Sequence, residues 1–132
     1  MPTRYQQLRE AIANLAAPAS AQAAQLDEMF SSLPGSATDY GNDELALEFD
    51  AIYRATDHMR EYGEIAQDEI YAAKPLDALL DKWSGAENAD FWTRDALFND
   101  PRWEEVRLCA QSALQAYPDE LRESDWTRQH AG

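Results

Sequence analysis

The sequence predicts an all-α protein, a single-domain irregular bundle of five to six helices around one long central helix. Three observations predict it. Apolar residues recur at spacings of three and four, while strand-like alternation is absent. Prolines and glycines punctuate the chain at helix-length intervals. The 132 residues are 45% hydrophobic and 11% aromatic, enough for one well-packed core without disulfides or metals to support it.

The first helix is expected from Tyr5, because Tyr5, Leu8, Ile12 and Leu15 fall on one face. Thr3 and Gln6 have capping-box spacing at its start, and Pro18 ends it. A second helix carries Ala23, Leu26, Phe30 and Leu33, with Met29 beside the stripe, and Leu33-Pro34-Gly35 closes it. Residues 34–42 are turn-formers and read as a loop.

The third helix is the predicted rod. Asn42 or Asp43 caps it, and it runs from Asp43 to Ala73, because Pro75 lacks the N–H a helix interior needs. Its apolar stripe is Leu45, Phe49, Ile52, Met59, Ala66 and Ile70, with Thr56 and Gly63 in register. Gly63 costs about 1 kcal/mol against alanine in a helix interior, and so marks a close crossing or a kink.

Pro75 suits the first position of a fourth helix bearing Leu76, Leu79, Leu80 and Trp83, with Gly85 beyond its end. Ser84 to Ala89 reads as loop. A short helix then carries Phe91, Trp92, Leu97 and Phe98, with Asp90 able to cap it. Asp100-Pro101 opens the last helix as cap and first residue. Its stripe is Trp103, Val106, Ala110, Ala113 and Tyr117, with Leu114 adjacent, and Pro118 stops it. The domain is therefore 1–118, and 119–132 is a polar tail holding Leu121 and Trp126. Trp126 reads either as an interface anchor or as a side chain docked on the bundle.

Charge narrows the function classes. Eleven Lys and Arg face 25 Asp and Glu, a formal net charge of −14. Nucleic acid and anionic membrane are polyanions, so neither is an expected partner. No run of about 18 apolar residues suggests a transmembrane helix. The N-terminal segment Met1-Pro2-Thr3-Arg4-Tyr5 lacks the apolar stretch of a secretory signal, and Cys109 is the one cysteine. A cytoplasmic location is the expectation.

On a straight helical wheel, Asp43, Asp50, Asp57, Glu61, Glu64 and Asp68 fall within about 60°, nearly opposite the apolar stripe. Tyr53 and Tyr71 border that arc, and Leu47 and Ile65 lie beyond its other edge. Asp57 with Glu61, and Glu64 with Asp68, are like charges four apart, each destabilising a helix by roughly 0.2–0.5 kcal/mol. Asp50 with Arg54, and Arg60 with Glu64, offset part of that. Repulsion held along one edge predicts a face that meets a basic protein, with carboxylates steering association and tyrosines supplying contact area; a simple solvated face is the alternative. Six charges over about 37 Å are one per about 7 Å, several-fold sparser than duplex DNA at one per about 1.7 Å, so the arc is no imitation of nucleic acid.

Catalytic patterns are mostly missing. A di-iron bundle needs Glu-x-x-His on two helices, yet Ala55 and Thr127 stand three residues before His58 and His130. His58 and Glu61 make only an incomplete ligand pair, so no metal is assigned. Cys109, between Leu108 and Ala110, reads as a small buried hydrophobe rather than a nucleophile. Phosphate loops, Cys-x-x-Cys and dinucleotide fingerprints do not occur.

One motif does carry a resemblance. Glu61-x-x-Glu64 followed by Glu87-x-x-Asp90 resembles the paired acidic motif of the all-α nucleotide pyrophosphohydrolases. The resemblance implies four carboxylates on neighbouring helices holding Mg²⁺ against a nucleotide's phosphates. It covers those four positions alone and departs from the family in placing Glu87 and Asp90 in a loop and cap.

The leading expectation is a non-catalytic acidic protein-binding module. Its most concrete form is an inhibitor or immunity-type protein that neutralises a basic partner such as a bacterial toxin or nuclease, with no cofactor. A Mg-dependent pyrophosphohydrolase and a helical assembly subunit are the alternatives.

Overall fold

The computed structural model describes residues 3–29 and 43–117. Phe30 to Asn42 and the segment from Pro118 onward lie outside the described residues. With them lie the predicted 34–42 loop, the Pro118 stop and Trp126. Every regular element among the described residues is helical: α1 Arg4–Ala16, α2 Ala19–Met29, α3 Asp43–Tyr53, α4 Thr56–Glu61, α5 Gln67–Lys82, a 3-10 segment Ala86–Trp92, α6 Ala96–Asn99 and α7 Pro101–Leu114.

Where local chemistry dictates a helix end, the expectation holds. Thr3 Oγ1 accepts from the Gln6 N–H at 3.0 Å, and Gln6 Oε1 accepts from the Thr3 N–H at 2.8 Å. That reciprocal pair satisfies two otherwise orphaned donors. Asp100 Oδ1 accepts from the Arg102 N–H at 2.9 Å, with Pro101 opening α7.

The predicted central rod is not one helix. Three helices, α3, α4 and α5, occupy its length. The first break falls at Arg54 and Ala55, where the buried Thr56 hydroxyl donates to the Tyr53 carbonyl at 2.8 Å. The second is set by Gly63, whose φ is +72°. Its N–H donates to the Arg60 carbonyl at 3.1 Å, and the Glu64 N–H donates to the Met59 carbonyl at 2.9 Å. This pair of bonds is a Schellman closure around a left-handed residue, the position where glycine lacks the side-chain penalty. The turn also resets the phase of the stripe. Ile65, placed by the straight wheel near the acidic arc, is 3% exposed, while Ala66 is exposed.

Pro75 does not start a helix either; it lies inside α5. Ile70, Ala73, Leu76 and Leu80 continue one buried stripe through it. Pro75 itself is exposed, as is Tyr71 one turn earlier, so the N–H that proline lacks is missing from the wet side of the helix.

The core centres on α1 instead. Leu8, Ala11, Ile12 and Leu15 are fully buried, and α1 packs against α7, α3 and α2, while α7 also packs on α5. One cluster contains the buried apolar side chains. A polar network closes the far end of α1. Gln22 Nε2 donates to the Asn14 and Leu15 carbonyls at 3.2 and 3.0 Å, and Gln111 Nε2 to the Ala16 carbonyl at 3.1 Å. Arg107, 7% exposed, donates through Nε to Gln22 Oε1 at 3.0 Å, through Nη1 to Glu104 at 3.0 Å and through Nη2 to the Leu97 carbonyl.

Aromatic packing fills the other end. Phe91 stacks on Trp103 with centroids 4.6 Å apart, and Trp92 meets both edge-on. Phe91 is the inward member of the Phe91-Trp92 pair. Trp83, expected in the core, is only half-buried at its rim, with the Lys82 ammonium 4.9 Å from its ring centroid.

Candidate functional site: an acidic groove between two helices

Breaking the rod redistributes the predicted arc. Asp43 and Asp50 stay on α3, Asp57 and Glu61 on α4, and Asp68 opens α5, while Glu64 lies in the turn between α4 and α5. Glu64 is held by Arg4, which donates from Nε to Oε1 at 3.0 Å and from Nη2 to Oε2. Those bonds hold the Glu64 carboxyl below the ordinary carboxylate range, although its own burial opposes this. The expected Arg60–Glu64 pair does not form; Arg60 reaches Gln67 and, more loosely at 3.8 Å, Asp57. The expected Asp50–Arg54 pair does form, at 2.9 Å.

Two of the predicted carboxylates converge with two others. Asp43 and Asp50 from α3 face Asp77 and Asp81 from α5 across a groove of about 520 Å³. Ala46, Phe49 and Leu80 line it, and Leu47 beside it is 52% exposed. Arg54 sits among the acids, donating from Nε to Asp50 and from Nη2 to Asp77. Its guanidinium carbon is 5.2 Å from the Tyr53 ring centroid. Burial pushes the Asp77 carboxyl up; Arg54 pulls it back, and the charges of Asp50 and Asp81 push it further up.

Tyr53 is half-buried and stacks on Phe49 at 5.1 Å. Burial raises its hydroxyl above the usual tyrosine range, with Asp77 adding to the rise. Tyr53 thus packs against Phe49 and Arg54 beside the groove, while Phe49 supplies the aromatic part of the lining. Tyr71 is 61% exposed on α5 and matches the expectation of an outward tyrosine.

Sequence reasoning missed Asp77 and Asp81. They are like charges four residues apart on one helix, the same repulsive signal that marked Asp57 and Glu61. Reading Pro75 as a helix start detached them from the acids of α3.

The pyrophosphohydrolase-like carboxylates are engaged separately. Glu64 pairs with Arg4, and Asp90, inside the 3-10 segment rather than capping a helix, pairs with Arg102 at 2.9 Å. Among the described residues, no three His, Cys, Asp or Glu side chains are gathered as a metal would need. No helix among them is long and apolar enough to cross a membrane. Cys109 is half-buried, and burial raises its thiol above the usual range, which disfavours a nucleophilic thiolate.

No protein-family model matches the chain, and neither the curated proteins nor the solved structures contain a significant match to it.

Proposed function

We propose that this protein is a non-catalytic, acidic protein-binding module that neutralises a basic partner protein, in the manner of an inhibitor or immunity-type protein against a toxin or nuclease. One observation carries the reading: the arginines among the described residues are already engaged within the chain, while several exposed carboxylates have no ion-pair partner there. Arg4, Arg54, Arg60, Arg94, Arg102 and Arg107 each pair with a carboxylate, and Arg9 donates to the Tyr117 carbonyl. Asp43, Glu61, Asp68 and Asp81 are exposed and have no ion-pair partner among the described residues. Such a field raises the encounter rate with a positively charged protein and repels polyanions.

Asp43, Asp50, Asp77 and Asp81 at the groove, with Asp57, Glu61 and Asp68 beyond it and Tyr71 as contact area, are the residues proposed to meet the partner. Occlusion of the partner's active site would follow from docking and needs no cofactor.

The test begins by capturing the partner from the native host and identifying it by mass spectrometry. Association kinetics are then measured for the wild type and for two double charge reversals, Asp43→Lys with Asp81→Lys, and Asp57→Lys with Glu61→Lys. Slower association in at least one double variant is the expected result. A complex indifferent to both reversals would overturn the proposal.

A further inference from the structure

The α3/α5 groove also indicates which chemical group the partner presents. We propose that the groove receives an arginine-bearing apolar segment of the partner protein, and that Arg54 holds the place of the incoming guanidinium in the free protein. The inference rests on the reading above that the partner is basic.

Two carboxylates from different helices, Asp50 and Asp77, converge on a single guanidinium, and an aromatic face from Tyr53 lies alongside it. Paired carboxylates and a ring are the surroundings that suit a planar, weakly hydrated cation better than a compact ammonium. The chain's own arginine thus shows that the groove fits that group. Arg54 is 56% exposed, and its two partners, Asp50 and Asp77, are 54% and 27% exposed. The exposed Asp50 pair contributes little, and an incoming guanidinium that displaces Arg54 re-forms the Asp77 pair it breaks, so the exchange has a small net cost.

One cation does not neutralise the groove. Asp43 and Asp81 remain without a cation among the described residues, and both line the same groove. Below the acids, Ala46, Phe49 and Leu80 present an apolar lining, and Leu47 stands half-exposed at the edge. A segment carrying arginine beside leucine or a similar side chain satisfies both features. A volume of about 520 Å³ lies within the range of sites that enclose a small organic group.

The test is an amide NMR titration of the full chain with the acetylated, amidated peptide Arg-Leu-Leu-Arg. Gln-Leu-Leu-Gln is the neutral control. Arg54→Gln removes the internal occupant, and Arg60→Gln makes the same charge change outside the groove. Shifts are expected at Ala46, Leu47 and Ser84, with binding about fivefold tighter in Arg54→Gln than in Arg60→Gln and no binding of the neutral peptide. Equal strengthening by both substitutions would overturn the placeholder role, leaving only general attraction. Shifts confined to α4 would overturn the groove while leaving the acidic-module reading standing. Should Arg54→Gln disturb the fold, Asp81→Asn serves instead: its exposed carboxylate can be neutralised without touching the core, and unchanged peptide affinity there would also overturn the proposal.

Discussion

Replacing Gly63 with alanine separates a broken rod from a continuous one by the sign of a stability change. Gly63 has φ +72°, and a Cβ built on it meets nothing within 4 Å. The substitution therefore carries no packing penalty, and its effect is a backbone effect. Holding alanine in the left-handed region costs about 1–2 kcal/mol, and the stiffer unfolded chain returns about 0.4–1 kcal/mol. The net expectation is a loss of about 1 kcal/mol. In an uninterrupted helix the same change would gain about 1 kcal/mol, because alanine is the better helix former. The two cases differ by about 2 kcal/mol and in direction. Urea unfolding followed by tryptophan fluorescence resolves this, with the m-value expected to stay constant. Tm should fall by about 2–6 °C. Gly63→Asn should cost less, since asparagine tolerates the left-handed region. An alanine variant as stable as the wild type, or more so, would refute the Schellman closure and the division of the rod that depends on it.

Other consequences can be measured on the same protein. Arg107→Ala should destabilise by about 2–4 kcal/mol, because Gln22 Oε1 and the Leu97 carbonyl lose a buried donor; Arg107→Met with Gln22→Leu should recover part of that loss in the same urea assay. Pro75→Ala should raise stability by about 1–2 kcal/mol, since alanine restores the N–H that α5 lacks there; a loss would mean that the packing of α5 on α7 needs the proline. Stability should fall as pH drops through the ordinary carboxylate range, because Glu64 beside Arg4 and Asp100 beside Arg102 have depressed folded-state values. Groups of that kind stabilise above their unfolded pKa and lose the contribution as they protonate. Glu64→Gln should accordingly be less stable than wild type at neutral pH and indistinguishable in acid. Asp77 has the opposite sign, since a raised carboxyl favours the fold when protonated, so Asp77→Asn should not show that acid convergence from below.

Helix ends set by neighbouring residues were legible in the sequence. The Thr3–Gln6 capping box and the Asp100–Pro101 start need only contacts three residues apart or fewer, and the stripes of α1 and α7 are short enough that a straight wheel stays in phase. The rod was not legible, because a wheel adds 100° per residue without limit and Gly63 has two opposite uses, a tolerated interior residue or a left-handed terminator. Tertiary packing decides between them: the Schellman turn carries Ile65 into the core and brings Glu64 to Arg4. Pro75 misled for a related reason. The rule against interior proline weighs the lost bond, and the continuous burial of Ile70, Ala73, Leu76 and Leu80 outweighs it when the proline faces water. About half of the groove was therefore visible, in Asp43 and Asp50. Asp77 and Asp81 lay on a segment whose position beside α3 no local pattern encodes.

The surplus of unpaired carboxylates also changes what the acidic arc means. On a straight rod it would be a line of six like charges. In the folded chain Glu64 is neutralised internally, Asp50 shares Arg54 and Asp57 meets Arg60, so the unpaired charge lies at Asp43 and Asp81 on the groove and at Glu61 and Asp68 beyond it. A concave acidic site with an apolar lining selects partners by shape as well as by charge.

The most direct measurement is the association rate of the captured partner as ionic strength rises from about 20 to about 300 mM, a range over which screening shortens from roughly 20 Å to under 10 Å. If exposed acids steer the encounter, the rate falls steeply across that range while dissociation changes far less. A rate that stays flat with salt would contradict the claim that this surface exists to meet a positively charged protein.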